Sequence, residues 1–115
     1  MTEPLYPAPS RELSAKRRAL APETERAFQA FSRQVFADSA LSGKFKQLIA
    51  VAVAHVTQCP YCIAGHTKAA MRQGASAEEL MEAIWVASEM RAGAAFAHAA
   101  LALTAMEEEQ RPRAE

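Results

Sequence analysis

The sequence predicts an all-α chain of four or five helices joined by short loops. Three observations lead there: apolar residues recur at helical spacing, alanine is dense through the centre and the C-terminal third, and proline, glycine and capping residues punctuate the chain at helix-length intervals. Half of the 115 residues are hydrophobic and 23% are charged, ordinary composition for one domain with one core.

Residues 1–21 carry Pro4, Pro7 and Pro9 and the basic run Lys16-Arg17-Arg18, and are expected to be a solvated, poorly ordered arm without a function. A helical domain is expected over 22–110. Its first helix starts at Pro22, suited to the first helical position, with Glu23 and Glu25 at the positive end of the dipole and Phe28, Phe31 and Val35 on one face. This helix is expected to end near Ala40, before Ser42-Gly43.

Lys44 to Gln58 reads as a buried strand or a buried helix on periodicity alone, and its alanines favour helix. Cys59 then suits an N-cap with Pro60 at the first helical position, opening a helix to Gln73 that stops at Gly74. Ser76 and Glu79 form a capping box before a long apolar-periodic stretch from Ile84 to Leu101, which Gly93 is placed to bend or divide. After Met106 the acidic run reads as a frayed end, and 111–115 as a tail.

Thirteen basic and thirteen acidic residues cancel, which argues against nucleic acid or an anionic membrane as partner. The N-terminus shows no signal-peptide pattern, and the most apolar window, Leu48 to Val56, is far short of the ~20 residues of a membrane span. A cytoplasmic protein is expected, and there close-spaced cysteines are more often catalytic or metal-binding than structural.

Both cysteines lie in Cys59-Pro60-Tyr61-Cys62, and His66 follows four residues on. A thiol reacts as its thiolate, which a helix N-terminus, a basic neighbour and a second close cysteine all favour. Cys62 and His66 share a helical face at i,i+4, so the imidazole can take the Cys62 proton. Cys59, one turn back, can form a disulfide once Cys62 has been oxidised. A structural pair of small hydrophobes is the plain alternative, and a zinc site is another, with His55 or His98 recruited to complete it. Gln47, Glu82 and Glu89 are further polar candidates; a carboxylate at Glu82 or Glu89 could border a pocket and relay protons. The many alanines suit close helix packing, and apolar residues on several faces suit a homo-oligomer.

The run Lys44-x-Lys46-x-Leu48-Ile49-Ala50-x-Ala52-Val53-Ala54, followed by Cys59-Pro60-Tyr61-Cys62-x-x-x-His66, resembles the alkylhydroperoxidase AhpD core of the carboxymuconolactone decarboxylase superfamily. The likeness spans Phe28 to Leu103. It implies a helical bundle that often assembles as trimers or hexamers, with peroxidase activity on hydroperoxides and reduction by an external dithiol or lipoyl protein; the chain has room for a single core unit, which makes a dimer a further expectation, and the thiol chemistry requires no bound cofactor or metal. It also implies roles: Cys62 attacks the peroxide, Cys59 resolves the sulfenic acid, and His66 belongs to the proton relay. The family's relay glutamate lies twelve residues before the first cysteine, where this chain has Gln47, an amide that cannot act as a base. Glu89 or Glu82 is then the candidate replacement. The decarboxylase branch generally lacks the cysteine pair and ranks lower, as does a non-catalytic or zinc-binding helical oligomer. A thioredoxin-like oxidoreductase is a further rival, which would need strands that the rest of the chain does not offer.

Overall fold

The computed structural model describes residues 5–113. Five helices follow one another: α1 (Arg11–Leu20), α2 (Pro22–Phe36), α3 (Gly43–Thr57), α4 (Pro60–Arg72) and α5 (Ala77–Gln110), with no strand among the described residues. The ambiguous segment is therefore a helix, α3.

The helix starts follow their capping chemistry. Ser42 Oγ accepts from Phe45 N–H at 3.2 Å. Ser76 Oγ accepts from Glu79 N–H at 3.0 Å, while the Glu79 carboxylate accepts from Ser76 N–H at 2.9 Å, a complete capping box. Between α4 and α5, Gly74 takes φ 93°, a conformation that a side chain disfavours.

Three expectations are corrected. The N-terminal arm, expected to be poorly ordered, contains α1, capped by Ser10, whose Oγ accepts from Leu13 N–H. Arg17 and Arg18 tie α1 to α2 by sharing the Glu25 carboxylate at 3.0 and 2.7 Å. Helix α2 ends at Phe36 instead of near Ala40, because Asp38 Oδ1 accepts from Gly43 N–H and Lys46 Nζ donates to the Ala37 carbonyl, so the intervening residues turn into α3. Helix α5 runs 34 residues without dividing at Gly93, and the acidic run Glu107-Glu108-Glu109 lies within it.

Helix α3 is the centre, packed on α4 and α5. The core is small: Val51, Ala54, Ala70, Ala75, Leu80 and Ala87 are buried, with Leu48 and Ile84 packed against them. Alanine on α3, α4 and α5 lets the three backbones approach closely. The outer half of α5 is left without cover: Phe96 is 85% and Leu101 70% exposed. The radius of gyration is 20.9 Å, against about 13 Å for a compact chain of ~100 residues. No helix among the described residues is long and apolar enough to cross a membrane.

Candidate functional site

The site begins at the α3–α4 junction. Helix α3 closes on Gln58 in the left-handed conformation (φ 59°, ψ 49°), and Cys59 N–H reaches back to the Ala54 carbonyl at 3.2 Å. Only Gln58 and Cys59 separate the two helices, so the N-terminus of α4 is held against the end of α3. Arg91 Nη1 from α5 donates to the Val56 carbonyl at 2.7 Å and satisfies that end from a third helix.

Cys59 is the N-cap of α4. Its sulfur accepts from Cys62 N–H at 3.2 Å, the place usually taken by a serine or aspartate oxygen. The cysteines are not bonded to each other, and both are half-buried. Hydrogen bonding to the Cys59 sulfur from the Cys62 side chain, then from the backbone N–H groups of Cys62 and Tyr61, holds its pKa below the ordinary thiol value. Cys62 shifts the other way: its thiol donates to Cys59, and burial and the Cys59 charge add to the rise. The first proton therefore leaves the capping sulfur.

Across from Cys62, His66 Nδ1 lies 2.7 Å from Gln47 Oε1. An amide oxygen only accepts, so Nδ1 carries the hydrogen in this arrangement and Nε2 is left to exchange a proton. Phe36 from α2 stacks on the imidazole, centroids 5.2 Å apart and planes 24° apart. Gln47 is the buried polar side chain of α3, 7% exposed, and its bond to His66 accounts for its burial.

Cys62 and His66 lie on the walls of two openings. One is an apolar cavity of about 370 Å³ between α2, α3 and α4, walled by Val35, Phe36, Ile49, Ala50 and Val53, with Lys46 at its edge. The other is a wider groove of about 680 Å³, where Gln29, Arg33 and Arg17 face Tyr61 and Gly65. The N-terminal arm reaches this place as well. Tyr61 Oη donates to the Pro7 carbonyl at 2.6 Å, and the rings of Tyr6 and Tyr61 meet edge to face at 5.9 Å. Sequence reasoning missed that contact, because nothing in residues 1–10 signals which part of the fold they meet.

The structure thus brings together Cys59, Cys62, His66 and Gln47. It does not bring Glu82 or Glu89 to them: both are exposed on α5, and neither lines the cavity or the groove. His55 Nδ1 is within 2.7 Å of the Val51 carbonyl, and His98 is exposed on the outer half of α5. No three potential ligands among His, Cys, Asp and Glu converge among the described residues.

Residues 22–105 match the carboxymuconolactone decarboxylase family. The chain belongs to this family. Its helical core is of the AhpD-like type within that superfamily, and α1 lies outside the matched region. Family relatives include an uncharacterised protein from the cox locus of Paracoccus denitrificans, 67% identical over 82 residues, covering 71% of this chain and 74% of that one. An uncharacterised protein of Cupriavidus necator is 35% identical over 82 residues, covering 71% and 73%. Among solved structures, a carboxymuconolactone decarboxylase family protein from Legionella pneumophila in its apo form superposes with a TM-score of 0.67 at 37% identity, over 87% of this chain and 89% of that chain. A protein from Methanobacterium thermoautotrophicum gives 0.68 at 32% identity, over 72% and 93%.

Proposed function

We propose that the protein is a thiol-dependent peroxidase, a disulfide oxidoreductase that reduces hydroperoxides through Cys59 and Cys62. The observation that carries this reading is the capping geometry: a sulfur accepting from the Cys62 N–H in the first turn of α4, one turn from a second thiol that lines a cavity beside an imidazole.

The roles divide by access and ionisation. Cys62 lines both openings and is the sulfur a peroxide meets, while Cys59 is the sulfur that ionises first. His66 Nε2 takes the Cys62 proton as the sulfur attacks the distal oxygen of ROOH. The O–O bond breaks, RO⁻ recovers the proton and leaves as ROH, and Cys62 becomes a sulfenic acid. The Cys59 thiolate then attacks the Cys62 sulfur, expelling hydroxide that is protonated to water, and the disulfide forms. A dithiol, free or carried on a lipoyl protein, returns two electrons by exchange. Gln47 orients the imidazole without taking a proton, and Glu89 has no part in this scheme within one chain.

The uncovered faces of α3 and α5 support a homo-oligomer as the working form, since Phe45 on α3 and Trp85 and Val86 on α5 also project more than half-exposed. The test of the chemistry is thiol loss after mixing reduced protein with cumene hydroperoxide. Wild type should form the disulfide, Cys59→Ser should accumulate a sulfenic acid at Cys62, and Cys62→Ser should stay reduced. Equal inertness of all three would overturn the reading.

A further inference from the structure

The cavity and the groove differ in character and share three lining residues, Phe36, Cys62 and His66. On one side of Cys62 and His66 the wall is Val35, Ile49, Ala50 and Val53, and the one cation at its edge, Lys46, is occupied with the Ala37 carbonyl. On the other side the groove carries Arg33 and Arg17 and no acidic residue. Arg17 shares Glu25 with Arg18, so its charge is partly met within α1 and α2. Arg33 has no ion-pair partner among the described residues. In a chain whose formal charges cancel, a guanidinium without an ion-pair partner among the described residues, lining the same groove as the Cys62 sulfur, is a local asymmetry.

We infer that the site takes amphipathic carboxylates, with the apolar body in the α2–α3–α4 cavity and the carboxylate at Arg33, so that the preferred oxidant is a hydroperoxide of an aliphatic acid. The guanidinium fork suits a carboxylate, and the cavity volume is at the lower end of the range for small-molecule sites. A neutral peroxide gains only the apolar half of this arrangement. A small cation without an apolar body gains neither half.

The substrate side of this inference rests on the peroxidase reading; the binding side does not, and the experiment separates them. Binding of decanoate and of methyl decanoate, neither of which is a peroxide, is measured by calorimetry on reduced full-length wild type, Arg33→Gln, Arg33→Lys and Val53→Ser. Wild type should bind decanoate about fivefold tighter than the ester, the scale of one partly exposed ion pair. Arg33→Gln should bring that ratio close to one, Arg33→Lys should keep most of it, and rising salt should erode it. Val53→Ser should weaken both ligands together. Equal affinities in wild type, or a preference that survives Arg33→Gln, would overturn the carboxylate assignment; decanoate binding untouched by Val53→Ser would overturn the placement of the apolar body. In parallel, the rate of thiol loss with a medium-chain fatty acid hydroperoxide is compared with that of its methyl ester, and the acid should react faster in wild type by the same factor. Decanoate binding without thiol loss from either peroxide would sink the peroxidase reading and leave the ligand class standing.

Discussion

His66 Nδ1 and Gln47 Oε1 stand 2.7 Å apart, so the imidazole beside the thiol pair is held by an amide. An amide fixes orientation and adds no charge, whereas a carboxylate at the same point would favour the imidazolium by Coulomb attraction and by hydrogen bonding to the charged ring. Gln47→Glu should therefore speed thiol loss on mixing with cumene hydroperoxide by about tenfold or more, because the carboxylate supplies the acid–base group that the amide lacks. Stopped-flow mixing of reduced wild type and variant reads this directly. An unchanged rate would show that the side chain at this point takes no part in the proton transfer.

The two thiols should titrate apart. Cys59 is held below the ordinary thiol value, first by the hydrogen bond from the Cys62 side chain and then by backbone donors, and Cys62 is held above it by donating to Cys59. Alkylation by iodoacetamide, followed peptide by peptide across pH 6 to 10, should label Cys59 at lower pH than Cys62, within the usual window of thiol ionisation. Cys62→Ala removes the first cause, so the Cys59 midpoint should move up toward that of an ordinary cysteine. A Cys59 midpoint at or above that of Cys62 would contradict the capping argument.

Most of this site was legible in the sequence because its parts are local. Proline after Cys59 and histidine four residues past Cys62 define a helix start and one face of that helix, and the structure has both. Gln47 was one of several polar candidates, and only the family likeness singled it out, since it lies nineteen residues from His66. The arm was misread for a related reason: its helix depends on Ser10 as cap and on Arg17 and Arg18 meeting Glu25, and pairs across a turn between two helices leave no periodic trace. Glu89 looked eligible because helical spacing places it near Trp85, but spacing along one helix does not say which face meets α4. The uncovered half of α5 shows the same limit, since apolar periodicity marks a face that must be buried without saying against what.

Phe96 and Leu101 lie exposed on a half-helix that no other helix among the described residues covers, and the proposed homo-oligomer would bury them. Wild type should run as an oligomer in light scattering at micromolar concentration. Leu101→Asp should lower the mass by placing a charge in the covered surface, where an unpaired charge costs several kcal/mol. A monomeric wild type would show that the half-helix stays solvated.

Tyr61→Phe removes the donor to the Pro7 carbonyl and keeps the ring that meets Tyr6. A single exposed hydrogen bond contributes about 0.5–1.5 kcal/mol, and here it holds only the arm. The expected result is faster amide exchange and faster proteolysis within residues 5–10, with little change in the melting temperature of the helical core. Unchanged exchange in the arm would mean that the ring contact alone holds it.

Gln58 carries the left-handed turn that joins α3 to the capping cysteine, and it does so with a side chain. An L-residue in this conformation costs roughly 1–2 kcal/mol relative to the right-handed region, a cost that glycine does not bear. Glycine also gains chain entropy in the unfolded state, which offsets part of the benefit. Gln58→Gly should therefore stabilise the protein by at most about 1 kcal/mol, seen as a higher denaturant midpoint at unchanged slope. The cysteine pair should respond in the opposite sense to a bulky β-branched residue at this position. Gln58→Val strains the turn that sets Cys59 N–H on the Ala54 carbonyl, so it should lower stability and slow disulfide formation together. Loss of stability with an unaltered rate of disulfide formation would show that the turn supports the fold without positioning the sulfur.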